Sequence, residues 1–171
     1  MMDFKEVIRN IPDFPVEGVL FRDITTLVKH PKAFPQFIDA MAASLAGLEF
    51  DLIVGPEARG FVMGSALAYA LGKGFVMARK PGKLPCATQR YEYALEYGTD
   101  AIEIHADAIL PGQRVVVVDD LLATGGTALA AIRLVEQAGG VVAAARFGIE
   151  LSDLEGREVL KGYDVDAVVV Y

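Results

Sequence analysis

Short apolar runs alternate with segments of helical periodicity over most of the chain. The apolar runs predict β-strands at 51–55, 74–79, 114–120, 141–149 and 166–171. The segments between them repeat apolar residues every three or four positions, which predicts helices at 31–45, 60–71 and 126–139. Because the apolar runs are continuous, we expect a sheet covered on both faces. This order of elements predicts an α/β fold with a mostly parallel central sheet flanked by helices.

Two regions depart from this alternation. Residues 2–11 place apolar side chains on one helical face and predict a first helix, whereas 11–24 carries two prolines and a glycine and predicts an irregular arm. Residues 91–105 alternate polar and apolar positions, which predicts a β-hairpin beside a loop rich in Pro, Gly and Lys. We therefore expect a single domain over 1–171, with an N-terminal arm at 1–30 and a flexible loop at 80–98.

Composition and charge narrow the class of protein. The 171 residues are 53% hydrophobic and 23% charged, a globular balance, and the net charge of −7 disfavours a protein whose main role is to bind nucleic acid. The one cysteine, Cys86, excludes an internal disulfide. The N-terminus lacks an apolar run of the signal type, and no segment is long enough to span a bilayer. We therefore expect a cytoplasmic protein that binds neither nucleic acid nor membrane.

The stretch RVVVVDDLLATGGTA, residues 114–128, concentrates the candidate chemistry. Asp119 and Asp120 stand where a buried strand is predicted to end, and parallel α/β sheets bind ligands at this edge. Carboxylates accept hydrogen bonds from sugar hydroxyls and can also face a positively charged transition state. Two adjacent acids at this place predict a shared ligand.

The turn after the aspartates is suited to a phosphate group. Its glycines let the backbone approach an anion, and the helix behind it offers unpaired N–H groups. The P-loop pattern GxxxxGK[ST] is absent and no lysine enters the turn, so we expect a monophosphate site. The predicted contacts are Ala123, Thr124, Gly125, Gly126 and Thr127. For ATGGT taken alone, the alternative is an ordinary strand-to-helix turn with an acidic edge.

The motif VVVVDDLLATGGT resembles the phosphoribosyl-pyrophosphate signature of the type I phosphoribosyltransferase family. GVLFRDIT (18–25), GPEARGF (55–61), RKPGKLP (79–85) and LEYG (95–98) resemble, in the same order, segments of its adenine-specific branch. The resemblance covers nearly the whole chain and implies a purine-salvage enzyme. Such an enzyme transfers the 5-phosphoribosyl group from phosphoribosyl pyrophosphate to adenine and forms AMP and pyrophosphate. The alternatives are transfer to xanthine, hypoxanthine or guanine, and a non-catalytic regulator that senses phosphoribosyl pyrophosphate.

The resemblance also implies which side chains bind the sugar and its leaving group. Asp119 and Asp120 would face the ribose hydroxyls and balance the charge of an oxocarbenium-like ribose. A lone lysine is usually a solvated surface charge, but four cations in two strand-end loops of an acidic protein indicate a pyrophosphate site. They are Arg59, Arg79, Lys80 and Lys83. The family further implies a homodimer with the basic loop near the interface, which leaves open whether Arg79 or Lys80 acts across it. We also expect Mg²⁺ chelated mainly by pyrophosphate and ribose oxygens, with few direct protein ligands, and no built-in transition-metal site.

Recognition of the base is implied for the arm and for the end of the flexible loop. The arm would cover the site as a hood, and backbone near Arg22 would read the edge of adenine. Phe21 would cover the ring or anchor the arm in the core. Glu96 would accept the purine proton as N9 attacks C1′, and Tyr97 would close the site. The alternative for Glu96 is a surface carboxylate on a hairpin. Family members also tend to have a cis peptide at the position of Glu57–Ala58.

Overall fold

The structure of the chain is a computed structural model that describes residues 2–95 and 98–171. Its N-terminal part forms a short helix, a two-stranded ribbon and two further helices. Its elements are α1 (Phe4–Val7), β1 (Arg9–Pro12), β2 (Leu20–Asp23), α2 (Thr25–Val28) and α3 (Ala33–Ala43). The strands β1 and β2 pair antiparallel in a sheet of their own. We call this ribbon, residues 9–23, the hood.

The structure of the hood shows that two predictions made from the sequence are wrong. The first helix ends at Val7 instead of Ile11, and the segment 11–24 is a strand pair joined by a turn instead of an irregular arm. The helix ends because Ile8 is extended and buried, so the residues after it pair with β2. Pro15, which follows a cis peptide bond, lies outside both strands, where its missing N–H costs no ladder bond. Pairing between distant residues thus overrides the local helical pattern.

The centre of the molecule is a parallel sheet with the order β4–β3–β7–β8–β9. The elements after α3 are β3 (Leu52–Pro56), α4 (Arg59–Leu71), β4 (Gly74–Ala78), β5 (Thr88–Leu95), β6 (Gly98–His105), β7 (Arg114–Leu122), α5 (Gly126–Gln137), β8 (Val141–Glu150), α6 (Gly156–Val159) and β9 (Val165–Val170). The predicted strands, the helices of the β-α alternation and the hairpin are confirmed, with ends that differ by a few residues. The short helices α2 and α6 were missed.

The valines of β7 explain why the sheet is covered on both faces. Val116 and Val118 enter a core with α3 and α4, whereas Val115 and Val117 enter a second core with α5. All four are fully buried. The two packed faces fix β7 in the middle of the sheet, so the residues that follow it are held at the carboxyl edge.

The hairpin of β5 and β6 joins this edge from one side. Ile102 and Ile104 anchor it in the second core. Reciprocal backbone hydrogen bonds between Arg79 and Glu103 tie it to the end of β4. Within the two described ranges, no helix is both long and apolar enough to cross a membrane.

Candidate active site

A cleft of about 400 Å³ opens at the carboxyl ends of β3 and β7. These strands are neighbours in the sheet, so the loops that follow them meet although they are far apart in sequence. The turn 57–59 forms one wall, and residues 119–128 form the other. The parallel topology therefore brings Arg59, the aspartate pair and the ATGGT turn into one site, as the sequence predicts.

The aspartate pair is held at the beginning of the second wall of the cleft. Asp120 is only 4% exposed, and its Oδ2 lies 2.8 Å from Nε of Arg59. The Asp120 amide donates to Oδ1 of Asp119 over 2.8 Å, which fixes the first carboxylate relative to the second. Gly60 permits this arrangement, because a Cβ there would lie 2.9 Å from the same Oδ1. The two carboxylates are thus oriented before any ligand arrives.

Burial raises the pKa values of both carboxyl groups, and repulsion from Asp120 adds to the rise at Asp119. The pKa of Asp119 lies well above its usual range because the carboxyl group is buried and next because Asp120 is close. The pKa of Asp120 is also raised by burial, although the Arg59 guanidinium opposes the shift. The chain therefore places costly negative charge in the cleft, which Arg59 compensates in part and a bound hydroxyl or cation would compensate further.

The ATGGT turn presents the beginning of α5 to the cleft. Gly125 has a φ of 85°, a left-handed conformation suited to glycine, and no side chain of the described residues caps the helix. Among those residues, a Cβ on Gly126 would meet nothing closer than Tyr93, at 3.9 Å, which leaves room for an anion at the helix. Uncapped N–H groups with an open approach favour an anion. The structure places all five predicted phosphate contacts, 123–127, on the wall of this cleft.

The hood reaches the cleft through Phe21. The Arg59 guanidinium carbon lies 5.6 Å from the centroid of the Phe21 ring, which in turn packs edge-on against Phe14. Arg22, the next residue in β2, points the other way: its guanidinium carbon lies 3.7 Å from the ring centroid of Tyr171. The Arg22 side chain is therefore not in the cleft, and the role implied for it rests on its backbone and stays a prediction.

The remaining cations lie in the loop after β4, beside the cleft. Nε of Arg79 donates to Oε2 of Glu57 over 2.7 Å, and the Lys80 amide donates to the other oxygen over 3.1 Å. Partial burial opposes ionisation of Glu57, but these bonds keep its pKa below the usual value. The Lys80 ammonium is paired with Asp100 of the hairpin, and Lys83 is exposed. Glu57, a residue we did not predict for the site, thus ties the loop after β3 to the loop after β4.

Two further predictions concern the loops. The peptide between Glu57 and Ala58 is cis, as the family resemblance implied. Glu96 and Tyr97 lie outside the described residues, so their roles stay predictions. No group of three or more His, Cys, Asp or Glu residues within 2–95 and 98–171 is arranged to hold a metal ion.

Known proteins resemble the chain over nearly its full length. A family model described as a phosphoribosyl transferase domain matches residues 24–165. The adenine phosphoribosyltransferase of Thermotoga sp. (strain RQ2) is 58% identical over 170 residues, which cover 99% of this chain and 100% of the relative. The crystal structure of adenine phosphoribosyltransferase from Thermoanaerobacter pseudethanolicus matches with a TM-score of 0.95 and 57% identity, covering 98% of this chain and 97% of that one.

A more distant relative was crystallised with ligands. The adenine phosphoribosyltransferase of Saccharomyces cerevisiae, in complex with an imino-altritol 1,6-bisphosphate and adenine, matches with a TM-score of 0.89 and 42% identity. The match covers 95% of this chain and 94% of the yeast chain.

Proposed function

The chain belongs to the phosphoribosyltransferase family, and from this premise we propose that it transfers the 5-phosphoribosyl group of phosphoribosyl pyrophosphate to adenine. The products are AMP and pyrophosphate, and the role is purine salvage. The observation that carries the proposal is the aspartate pair beside an uncapped helix N-terminus in one cleft. The names of the relatives, and the bisphosphate and adenine in the yeast structure, support the same substrates.

The sugar phosphate binds along the wall formed by residues 119–127. The N–H groups at the start of α5 and the hydroxyls of Thr124 and Thr127 bind the 5′-phosphate. Asp119 and Asp120 accept hydrogen bonds from the ribose hydroxyls, and their negative charge stabilises the positive charge that develops on the ribose. The raised pKa of Asp119 supports this role, because a carboxylate that is poorly compensated in the free protein gains most from a partner.

The leaving group binds at the opposite wall. Arg59 lies at the beginning of α4, and Arg79, Lys80 and Lys83 lie in the loop after β4. These cations bind the pyrophosphate oxygens and stabilise the charge that the leaving group gains. Lys80 exchanges Asp100 for this ligand, or acts in the site of a neighbouring subunit.

The base binds between the hood and the sugar. Backbone near Arg22 reads the edge of adenine and Phe21 covers the ring, close to Arg59. N9 attacks C1′ as the C1′–O bond to pyrophosphate breaks, with inversion at carbon and no covalent intermediate. Glu96 accepts the proton that N9 loses, and Tyr97 helps to exclude water from the activated sugar.

The site is suited to Mg²⁺ that arrives with its substrate. Asp119 and Asp120 would offer it carboxylate oxygens, but Asp120 is already engaged by Arg59, so most ligands would come from the substrate and water. When bound, such an ion would neutralise charge on the pyrophosphate.

A homodimer and a cytoplasmic location complete the proposal. Val62 and Tyr69 lie two turns apart on α4 and are 37% and 92% exposed, and Met77 of β4 is also exposed, which supplies apolar surface for a second copy. Sedimentation equilibrium tests the dimer. The free Cys86 is compatible with a reducing compartment.

The decisive experiment measures pyrophosphate release with Mg²⁺ and each purine base in turn. We expect rapid release with adenine and little with hypoxanthine, guanine or xanthine. Faster release with another base would reassign the substrate. Tight binding of phosphoribosyl pyrophosphate without turnover of any base would instead indicate a regulator.

A further inference from the structure

The turn that binds the phosphate is supported from behind by the first residue of α6. A Cβ on Gly156 would lie 2.1 Å from the carbonyl oxygen of Ala123 and 3.0 Å from Cδ1 of Leu122. The contact is reciprocal, because a Cβ on Gly125 would lie 2.7 Å from the carbonyl oxygen of Gly156. Two backbone segments thus pack with no room for a side chain between them.

Gly156 does not line the cleft and acts only through this contact. The wall of the cleft includes Ala123 and Gly125 but no residue of α6. Gly156 itself is buried. Any group added at Gly156 must therefore displace the phosphate turn towards the cleft or move α6 away from it.

The packing of α6 against the sheet opposes a movement of α6 away from the phosphate turn. Nε of Arg157 lies 2.9 Å from Oε1 of Glu150, and its Nη1 donates to the carbonyl oxygen of Val165 over 2.6 Å. Glu150 is 6% exposed and Leu160 is 1% exposed, so α6 is fixed to the sheet by a largely buried carboxylate and by an apolar anchor. The Leu151 amide also donates to the carbonyl oxygen of Leu122, which joins the ends of β7 and β8 directly before the turn.

We propose that Gly156 is a positioning residue for the 5′-phosphate, an inference that rests on the proposed function. With α6 held, the backbone of 123–125 keeps the position in which the N–H groups at the start of α5 converge on the phosphate. Displacing that backbone by a fraction of an ångström misplaces several donors together, so binding of the phosphate suffers more than binding of the base.

The test compares Gly156→Ala with a matched substitution far from the cleft. Gly140 is also crowded, although less than Gly156, since a Cβ there would lie 2.9 Å from side-chain atoms of Ile109 and Val135, and it precedes β8 at the opposite end of the sheet. Titration calorimetry with ribose 5-phosphate measures the phosphate site without catalysis. Steady-state kinetics give the KM values for phosphoribosyl pyrophosphate and for adenine.

We expect Gly156→Ala to weaken ribose 5-phosphate binding and to raise the KM for phosphoribosyl pyrophosphate, each about tenfold or more, with the KM for adenine unchanged. Gly140→Ala should lower the melting temperature without either effect. Unchanged ribose 5-phosphate binding in Gly156→Ala, or an equal loss in both variants, overturns the proposal. A wild type that binds ribose 5-phosphate but does not convert adenine refutes the proposed function, and the calorimetric comparison still decides the role of Gly156.

If Gly156→Ala does not fold, Arg157→Met loosens the same support without adding a group at the contact. We expect weaker ribose 5-phosphate binding in Arg157→Met and partial recovery in Arg157→Lys, which keeps a cation beside Glu150. Wild-type affinity in Arg157→Met overturns the proposal.

Discussion

At the scale of single residues, the two aspartates of the cleft differ in how well the protein compensates their charge. Asp120 has a direct partner in Arg59, whereas the hydrogen bond that Asp119 accepts within the described part of the chain comes from the backbone N–H of its neighbour. The pKa of Asp119 is accordingly raised by burial and by the neighbouring carboxylate. The residue proposed to bind the ribose is therefore one that the free protein holds at a cost to its own stability.

This cost predicts that Asp119→Asn makes the folded protein more stable and at the same time weakens binding of phosphoribosyl pyrophosphate. Because the folded pKa lies above the usual value of 3.8, the folded chain holds the proton more tightly than the unfolded chain, and stability falls as pH rises through this interval. Removing the charge should therefore raise the melting temperature at pH 8, and the gain should disappear at pH 4. The amide should also raise the KM for phosphoribosyl pyrophosphate about 10- to 100-fold, the value of a hydrogen bond to a charged group.

Calorimetric melting curves at the two pH values check the stability effect, with Asp107→Asn, a change at an exposed acid, as the control. A lower melting temperature at pH 8 in Asp119→Asn would show that the carboxylate is well compensated in the free protein.

At the scale of elements, the loop after β4 carries Lys83, which forms no ion pair within residues 2–95 and 98–171. The loop backbone is nevertheless fixed, because the Gly82 amide donates to the buried Glu103 over 3.2 Å and the Lys83 carbonyl accepts from Arg79. Because the loop backbone is fixed and the Lys83 ammonium is exposed, Lys83 is suited to bind an anion that enters the cleft.

We expect Lys83→Ala to lower kcat about 100-fold, because it removes a charge that stabilises the leaving group, without loss of folded structure. Pyrophosphate release measures the effect and circular dichroism measures the fold. Lys161→Ala, a change at an exposed lysine that follows α6 in the chain, should keep wild-type turnover. Equal turnover in the two variants would remove Lys83 from the site.

The hood has its own anchor in the stack of Arg22 on Tyr171. The Tyr171 hydroxyl is buried and has no hydrogen-bond partner among residues 2–95 and 98–171, so the ring makes the contact with Arg22. Tyr171→Ala should loosen the hood and raise the KM for adenine about 2- to 30-fold, from the range of a cation–π interaction, with the KM for phosphoribosyl pyrophosphate unchanged. Tyr171→Phe keeps the ring and should behave as wild type. An equal rise of both KM values in Tyr171→Ala would indicate a general loss of structure.

Some of these elements could be predicted from the sequence, and others could not. The strands β7 and β8 and the residues of the aspartate pair were predictable because their signals are local: continuous valines, then adjacent acids and glycines. The pairing of β1 with β2 joins residues 8 to 14 positions apart, with Pro12 at the end of β1 and Pro15 in the turn, so no local period predicts it. The contact of Gly156 with Ala123 depends on the tertiary path of α6 and has no signature in its neighbours.

At the scale of the whole molecule, stability in acid depends on carboxylates whose pKa the fold lowers. Bonds from Arg9 and Thr25 lower the pKa of Asp23 to about 2 from 3.8. Because the folded pKa lies below the unfolded value, this stabilisation is complete above about pH 4 and is lost as pH falls through about 2.

Asp23→Asn should therefore destabilise the protein at pH 6, and its difference from wild type should shrink as pH approaches 2. Urea unfolding at a series of pH values measures the difference. Asp13→Asn serves as the control, since its exposed carboxylate has no basic partner among the described ion pairs. A difference from wild type that stays constant down to pH 2 would mean that Arg9 contributes through packing alone.

The independent pairing of the hood strands also separates the heat resistance of the central sheet from the rate at which ligands enter and leave the cleft. Its strands bond to each other, and no ladder bond joins them to the five-stranded sheet in the ranges that the structure describes. Tilting the hood aside would therefore disrupt side-chain contacts such as the Arg22–Tyr171 stack and leave the hydrogen bonds of β7 intact. Substitutions that make the central layer more heat-resistant should consequently leave the rate of base entry and nucleotide release as it is.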